Sequence, residues 1–383
     1  MAYAARTDDP ARRRAAETMV CACGIAIVIC ALAGTQAWLD RHFMPSFFLP
    51  RDSYVLIEQA VRAGIALAGV FLILARRPFA RLLWRAPSLA LSVTLAGILA
   101  LVAGELLLRH VQLRPAEWLG PQEEPRRQPD ARVGWTFVPS RVGHGTMGGR
   151  TIDYALDAHG YRVRRADDAI DLARPTILFT GESIMFGEGL TWSESIPAQA
   201  GTMTGVQAAN LAVHGFSTDQ AYLRLTTELP RFRAPVAVIS IFMSALFGRN
   251  LDDDRPHLGP GLVWMPPVQH SRLKMLAKLL VPFRKDATVE RGIVVTREAL
   301  RATADLARSR GATSLVVVPQ FGSEAPVEQR LRERVLDDGR VPYVLVELDP
   351  AWHLPWDRHP DARGARAIAA AVAERLRGVT PRP

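Results

Sequence analysis

Three side chains of this sequence could form a nucleophilic relay if folding brings them together: Ser183, Asp357 and His359. A serine hydroxyl attacks a carbonyl only when a base takes its proton. A histidine serves as that base best when a carboxylate holds its other ring nitrogen. Asp357 and His359 are two residues apart, so a single turn can present both. Most serines that follow a strand are turn formers or helix caps; what sets Ser183 apart is where it stands. The apolar run Thr176–Thr180 reads as a buried strand and ends abruptly in Gly181-Glu182-Ser183. A glycine-rich turn with Gly187 and Gly189 and a short helix follow. A serine there lies at the carboxyl end of a parallel strand, where α/β sheets place ligands, and beside helix amides that can face a developing negative charge.

The elements that must position these groups alternate along the chain. Strands are expected at Thr176–Thr180, Val206–Leu211, Val236–Phe242, Ser314–Pro319 and Tyr343–Leu348, and helices around Ile196–Thr202, Asp219–Leu229, Thr296–Ser309, Val327–Asp337 and Gly364–Arg377. Short, nearly all-apolar strands separated by helices predict a parallel sheet covered on both faces, a three-layer α/β/α domain. Ahead of it, Val133–Pro139 and Thr151–Arg162 alternate like strands and predict a short β module; His159 within it reads as structural. Residues 255–292 break the alternation. Their run Ser271–Lys285 is amphipathic, expected as a cap on its own domain, with a helix on the membrane surface or a cleft wall as alternatives.

The first 109 residues have a different character. Three apolar segments, about 19–39, 55–75 and 87–108, are long enough to cross a bilayer. The second carries Glu58 and Arg62, spaced to pair with each other; the third ends near Glu105, expected to snorkel to the interface. Arg6, Arg12, Arg13 and Arg14 precede the first span, and Arg76, Arg77, Arg81 and Arg85 lie between the second and third. The positive-inside rule then puts the N-terminus in the cytoplasm and everything after residue 109 outside, provided the second segment spans. A proline-containing spacer over 113–131 would lift the domain off the bilayer. The chain thus divides into a membrane anchor (1–109), a linker with the β module (110–170) and an α/β domain (171–383).

Charge excludes one class of partner. The net +9 of the 383 residues splits into 12 Arg against 7 acidic residues before residue 110, and 35 basic against 31 acidic after it. The larger domain is only mildly basic, so nucleic-acid binding is set aside. All three cysteines (Cys21, Cys23, Cys30) lie in the first apolar segment, so no intramolecular disulfide framework holds the α/β domain. No phosphate loop, Rossmann fingerprint or metal-ligand cluster is present, and no cofactor or metal is expected. Asp252-Asp253-Asp254 reads as a solvated loop.

Residues 130–380 resemble the SGNH (GDSL-type) hydrolase family, and more narrowly its membrane-tethered bacterial branch. Gly181-Glu182-Ser183 matches the family's Gly-Asp-Ser block with Glu in place of Asp. Asn210-Leu-Ala-Val-His214-Gly215 matches the second block, and Asp357-x-His359-Pro360-x-Ala362-x-Gly364 the last. The resemblance implies Ser183 as nucleophile, His359 as base, Asp357 as its orienting acid, and an oxyanion hole from the backbone N–H groups of Ser183 and Gly215 with an asparagine side chain. Where the family has that asparagine, this chain reads Met243-Ser244-Ala245; Asn250 is the nearest asparagine and the expected donor, with Ser244 or a missing donor as alternatives. His353 is the alternative base and Asp349 the alternative acid, while His214 reads as a neutral cleft residue.

The implied activity is that of a serine esterase or O-acyltransferase at the bacterial inner membrane, with its catalytic domain outside the cytoplasm. Acylated glycans or other envelope esters are the implied substrates, and a membrane acyl-donor protein is an expected partner. Glu182 and the altered third block leave a second expectation, a catalytically impaired scaffold that binds polysaccharide or envelope partners.

Overall fold

The computed structural model describes residues 10–43, 49–85, 87–113, 119, 123–147 and 149–378. Arg6 and part of the expected spacer (114–118 and 120–122) lie outside these residues. The chain forms two compact units, residues 1–111 with 271–283, and residues 112–270 with 284–383.

The first unit consists of α1 (Pro10–Ala33), α2 (Gln36–His42), α3 (Arg51–Leu74), α4 (Arg76–Arg85) and α5 (Pro87–Leu108). Three stretches, Arg13–Ala33, Arg51–Leu74 and Leu91–Leu108, are long and apolar enough to cross a membrane. The arginine-rich segment after α3 is helical rather than a loop. α1 meets α3 where Gly24 faces Gly69: a Cβ on either would lie 2.8 Å from the other's carbonyl oxygen, a seam only small residues allow. Glu58 and Arg62 serve that same packing. Gln36 Nε2 donates to Glu58 at 2.6 Å and Arg62 donates to the Gly34 carbonyl at 2.8 Å, so both residues tie α3 to the α1–α2 junction. Glu105 accepts from the backbone N–H groups of Arg272 and Leu273 at 3.1 and 3.0 Å, and so caps the amphipathic helix Arg272–Leu280. That helix, expected on the α/β domain, belongs to this unit.

In the second unit, β1 (Arg127–Asp130) and β2 (Gly134–Phe137) form a hairpin. β3 (Val142–Met147), β4 (Arg150–Leu156) and β5 (Arg162–Val163) lead into β6 (Thr176–Phe179), α6 (Ser183–Phe186), α7 (Ile196–Thr204), β7 (Gln207–Asn210), α8 (Thr218–Glu228) and β8 (Pro235–Ile241). A 3₁₀ turn (Ser244–Leu251), the two-residue strands β9 (His257–Leu258) and β10 (Trp264–Met265), α9 (Asp286–Ser309), β11 (Thr313–Phe321), α10 (Pro326–Arg332), β12 (Tyr343–Leu348) and α11 (Ala362–Arg375) complete it.

One eight-stranded sheet in the order β12-β11-β8-β6-β7-β5-β4-β3 organises the unit. Its five long-range strands are parallel, as their unbroken apolar character requires, and β6 is buried at every position. Of the two strands expected as a small module, Val133–Pro139 pairs in the β1–β2 hairpin, whereas Thr151–Arg162 continues this sheet: β3, β4 and β5 pair antiparallel, and Arg162 on β5 pairs with Asn210 on β7. Helix pairs α7 with α11 and α8 with α9 cover the sheet, giving the three-layer arrangement. Tyr161, Leu178, Leu225, Phe232 and Val238 lie in the core between. α9 begins ten residues before the expected Thr296, because Val289 and Ile293 extend its buried stripe backward.

Candidate active site

The turn that carries Ser183 is fixed from both sides. Gly181 has φ +150°, and a Cβ there would lie 2.5 Å from Ile241 on the neighbouring β8, so no larger residue fits. One helical turn later Gly187, at φ +82°, ends α6 in the left-handed conformation. Arg162 clamps the far side. Its wholly buried guanidinium donates to the carbonyls of Phe186, Gly187 and Leu190 at 2.8, 2.6 and 2.5 Å and lies over the rings of Tyr154 and Phe186. Burial lowers the Arg162 pKa to about 10, still far above neutral, so the clamp stays charged. Asn210 adds a second tie, donating to the Phe186 carbonyl at 3.1 Å.

On this platform Ser183 is 1 % exposed, and its Oγ stands 2.7 Å from His359 Nε2. His359 Nδ1 faces Asp357 Oδ2 at 2.7 Å, and the other carboxylate oxygen of Asp357 accepts the His359 backbone N–H at 2.8 Å. The last turn therefore holds acid and base by backbone as well as side chain, and Pro360 with the α11 N-cap Asp361 fixes its exit. Burial alone would push His359 below the ordinary histidine value. The hydrogen bond to Asp357 and the charges of Glu188, Asp357 and Glu182 outweigh it and hold His359 above that value. Asp357 moves the other way: burial would raise it, but its bonds and charge interaction with His359 keep it below the ordinary carboxylate range.

The structure thus joins Ser183, His359 and Asp357 in one hydrogen-bonded chain. Gly215 stands in the turn after β7, the parallel neighbour of β6, at φ +78°. Its carbonyl accepts from Arg255 at 2.8 Å, and the carbonyl of His214 accepts from Trp135 Nε1 at 2.9 Å. Asn250 is directed elsewhere: its amide donates to Thr218 Oγ1 at 3.0 Å and Thr296 Oγ1 at 2.9 Å, while its carbonyl oxygen accepts the Thr218 N–H. Both of its N–H bonds are spent on holding α8 to α9. Ser244 likewise donates to the Glu328 carbonyl at 3.2 Å. The residue of that 3₁₀ turn that contacts the glutamate beside the nucleophile is Arg249, whose Nη1 lies 3.5 Å from Glu182 Oε2.

His353 and Asp349 take no part in that hydrogen-bonded chain. His353 Nδ1 faces the carbonyls of Leu354 and Asp357, and Asp349 caps the Ala351 N–H. His159 packs on Tyr161 and contacts Arg231. In the acidic run Asp252 pairs with Arg255 and Arg284 and Asp253 with His270, and no group of metal-ligating side chains occurs among the described residues.

Two residues have parts that the sequence did not disclose. Glu182 Oε2 accepts from Ser183 Oγ at 2.6 Å and from the Ile184 N–H at 3.1 Å, so it caps α6 and touches the nucleophile at once. Glu188 is buried beside both histidines, its Oε2 3.1 Å from His214 Nδ1 and 3.6 Å from His359 Nε2. Burial pushes its carboxyl up to about 7, against the pull of His359. Burial, together with the cations Arg127 and Arg249, pushes His214 down to about 3, leaving it neutral at any ordinary pH. A glutamate five residues beyond a strand-end serine was the only signal of this in the sequence.

No family model matches the chain, and no curated protein matches it. Similar solved structures include an inhibitor-bound aryl esterase from M. smegmatis, 13 % identical, spanning 54 % of this chain and 99 % of its own, with a TM-score of 0.34. A carbohydrate acetylesterase from Sinorhizobium meliloti is 11 % identical, spanning 54 % of this chain and 100 % of its own, with a TM-score of 0.33. A GDSL-like lipase from Bacteroides thetaiotaomicron is 12 % identical, spanning 53 % and 87 %, with a TM-score of 0.33. At these values the likeness assigns neither a substrate nor a role to any residue of this chain.

Proposed function

We propose that this chain is a membrane-anchored serine esterase or O-acyltransferase in which Ser183, His359 and Asp357 act together. The observation that carries the reading is the unbroken hydrogen-bonded chain from Ser183 Oγ through His359 to Asp357, at 2.7 Å in each link. Ser183 Oγ attacks the ester carbonyl while its proton passes to His359 Nε2. The carbonyl π pair moves onto oxygen, and the tetrahedral intermediate collapses as His359 returns the proton to the leaving alcohol. A second hydroxyl, from water or another alcohol, then repeats the sequence on the acyl-serine. Asp357 holds the imidazole in the required tautomer and stabilises its charged form.

In this reading the backbone N–H groups of Ser183 and Gly215 receive the oxyanion. The charged side chain of Arg249 supplies the third donor in place of Asn250, whose amide is committed between α8 and α9. The three apolar helical stretches support a bilayer anchor. The arginine distribution orients it with the N-terminus in the cytoplasm and the α/β domain outside the inner membrane. Such a tether favours substrates made or exported at the membrane, acylated glycans and related envelope esters, with a membrane acyl-donor protein as the source for transfer.

A serine-directed fluorophosphonate probe tests the reading on the detergent-solubilised full chain. Labelling located at Ser183 by mass spectrometry, and lost in Ser183→Ala, is the expected result. An unlabelled but folded wild-type protein would instead favour the impaired scaffold, a reading supported by the Glu182 oxygen that competes for the Ser183 hydroxyl.

A further inference from the structure

We infer that His214 and Glu188 form a subsite beside Ser183 that binds a polyol acceptor, so that the acyl group passes to an alcohol in preference to water. This inference rests on the serine-ester reading above. Its starting observation is a buried carboxylate that stands outside the hydrogen-bonded chain of Ser183, His359 and Asp357. Glu188 Oε2 makes no well-formed hydrogen bond, yet it lies 3.1 Å from His214 Nδ1 and 3.6 Å from His359 Nε2. One carboxylate oxygen therefore faces two imidazoles. A buried acceptor left in this state is costly unless it orients something.

What it orients is His214. Its Nδ1 stands 3.1 Å from Glu188 Oε2, so with Glu188 ionised Nδ1 carries the proton and Nε2 of the neutral ring keeps its lone pair. The His214 side chain is 34 % exposed while Glu188 is 11 % exposed, and in this inference the open part of the ring is the edge with Nε2. An acceptor atom thus faces the open side of the site. The backbone is held too: the His214 carbonyl is fixed by Trp135, and the Glu188 N–H donates to the Ser183 carbonyl at 3.0 Å. Both residues therefore belong to the two turns that present Ser183 and Gly215.

An acceptor with two hydroxyls can use both imidazoles. One hydroxyl gives its proton to His359 Nε2 as its oxygen bonds to the acyl carbon; Ser183 Oγ leaves and takes that proton from His359. The second hydroxyl donates to His214 Nε2 and is unchanged by the reaction, so no net proton resides on His214. Water or a monohydric alcohol can fill only one of the two positions. The subsite therefore selects sugars and other polyols.

Competition between acceptors tests this. The detergent-solubilised full chain is acylated with p-nitrophenyl acetate in the presence of glycerol and 1-propanol at equal concentration, and the acetate esters and free acetate are measured by mass spectrometry. Wild-type protein should form glyceryl acetate in excess over propyl acetate. Glu188→Gln, which keeps the volume of the buried side chain, and His214→Leu should each lower the glyceryl acetate to acetate ratio about tenfold, the loss of one well-placed hydrogen bond. With the products formed in the presence of Ser183→Ala subtracted, all products come from one acyl-enzyme, so a fall in folded or acylated protein does not move that ratio. A nitrophenolate burst with no glycerol preference, or with a ratio that neither substitution changes, overturns this inference alone. The absence of any Ser183-dependent nitrophenolate release from the wild-type protein overturns the serine-ester reading and this inference with it.

Discussion

The turn after β6 and the turn after β8 leave the same parallel sheet side by side, yet they are built in opposite ways. The first, 181–190, is held by its backbone: three positive-φ glycines, Gly181, Gly187 and Gly189, shape it, and Arg162 and Asn210 bind its carbonyls. Its geometry dictates residue type, so Gly181 and Ser183 stand out in the sequence. The second, Ser244–Leu251, is a 3₁₀ turn whose side chains choose among distant partners: Glu328 for Ser244, Thr218 and Thr296 for Asn250, Glu182 for Arg249. Nothing local fixes which of them points at the nucleophile. A site residue is thus legible where the backbone demands it and hidden where only tertiary partners do.

The largest effect should come from the first turn. Ser183→Ala removes the nucleophile and should lower p-nitrophenyl acetate hydrolysis by at least about 10⁴-fold, with the fold intact by circular dichroism. Activity retained in that variant would end the comparison, since the well-built turn would then hold nothing reactive.

The second turn is next, and here two variants are set against each other. Arg249→Gln should cost roughly 100- to 1000-fold in kcat, the usual loss for one oxyanion donor. Asn250→Ala should leave kcat within a few-fold and instead lower stability by about 1–2 kcal/mol, because Thr218 and Thr296 lose a shared partner. The reverse ranking, measured by steady-state kinetics and urea denaturation, would return the donor role to Asn250.

Arg162 sharpens the contrast from the stability side. Arg162→Met removes three buried hydrogen bonds at once, although Phe186 keeps Asn210 and Gly187 keeps the Leu190 N–H, and the charge it removes had no carboxylate bonded to it. The expected loss is about 3 kcal/mol in denaturant unfolding. A loss under about 0.5 kcal/mol would show that the turn holds its shape without the clamp.

Much of the architecture could be read in advance. The five parallel strands are short apolar runs, and the spacing of Asp357 and His359 fits the turn that presents them. What escaped reading depends on partners far away in sequence. Arg162 looks like the end of a surface strand, yet its acceptors come 24 to 28 residues later. Thr151–Arg162 reads as part of a separate module because its link to the main sheet is the single Arg162–Asn210 pairing. Glu58 and Arg62 satisfied a local pairing rule but were drawn to Gln36 and Gly34 by the packing of α3 on α1.

The smallest expected effect lies in the pH profile, and it tests how the first turn touches the reaction. Ser183 has one hydroxyl proton and two acceptors, Glu182 Oε2 at 2.6 Å and His359 Nε2 at 2.7 Å. Both short contacts can be hydrogen bonds only if a further proton is present, and His359 Nε2 is a place for it. The carboxylates around the ring favour this, since Asp357, Glu188 and Glu182 all raise the His359 pKa. His359 must be neutral to act as a base. With its pKa above the ordinary value of about 6.5, kcat/KM should therefore fall as pH drops through a midpoint on the alkaline side of that value. Glu182→Gln removes both a negative charge and the competing acceptor, so the midpoint should move to lower pH. Glu188→Gln should move it in the same direction through charge alone. A Glu182→Gln profile that is unmoved, or displaced upward, would mean that Glu182 only caps α6 and that the short contact to Ser183 has no part in setting the base.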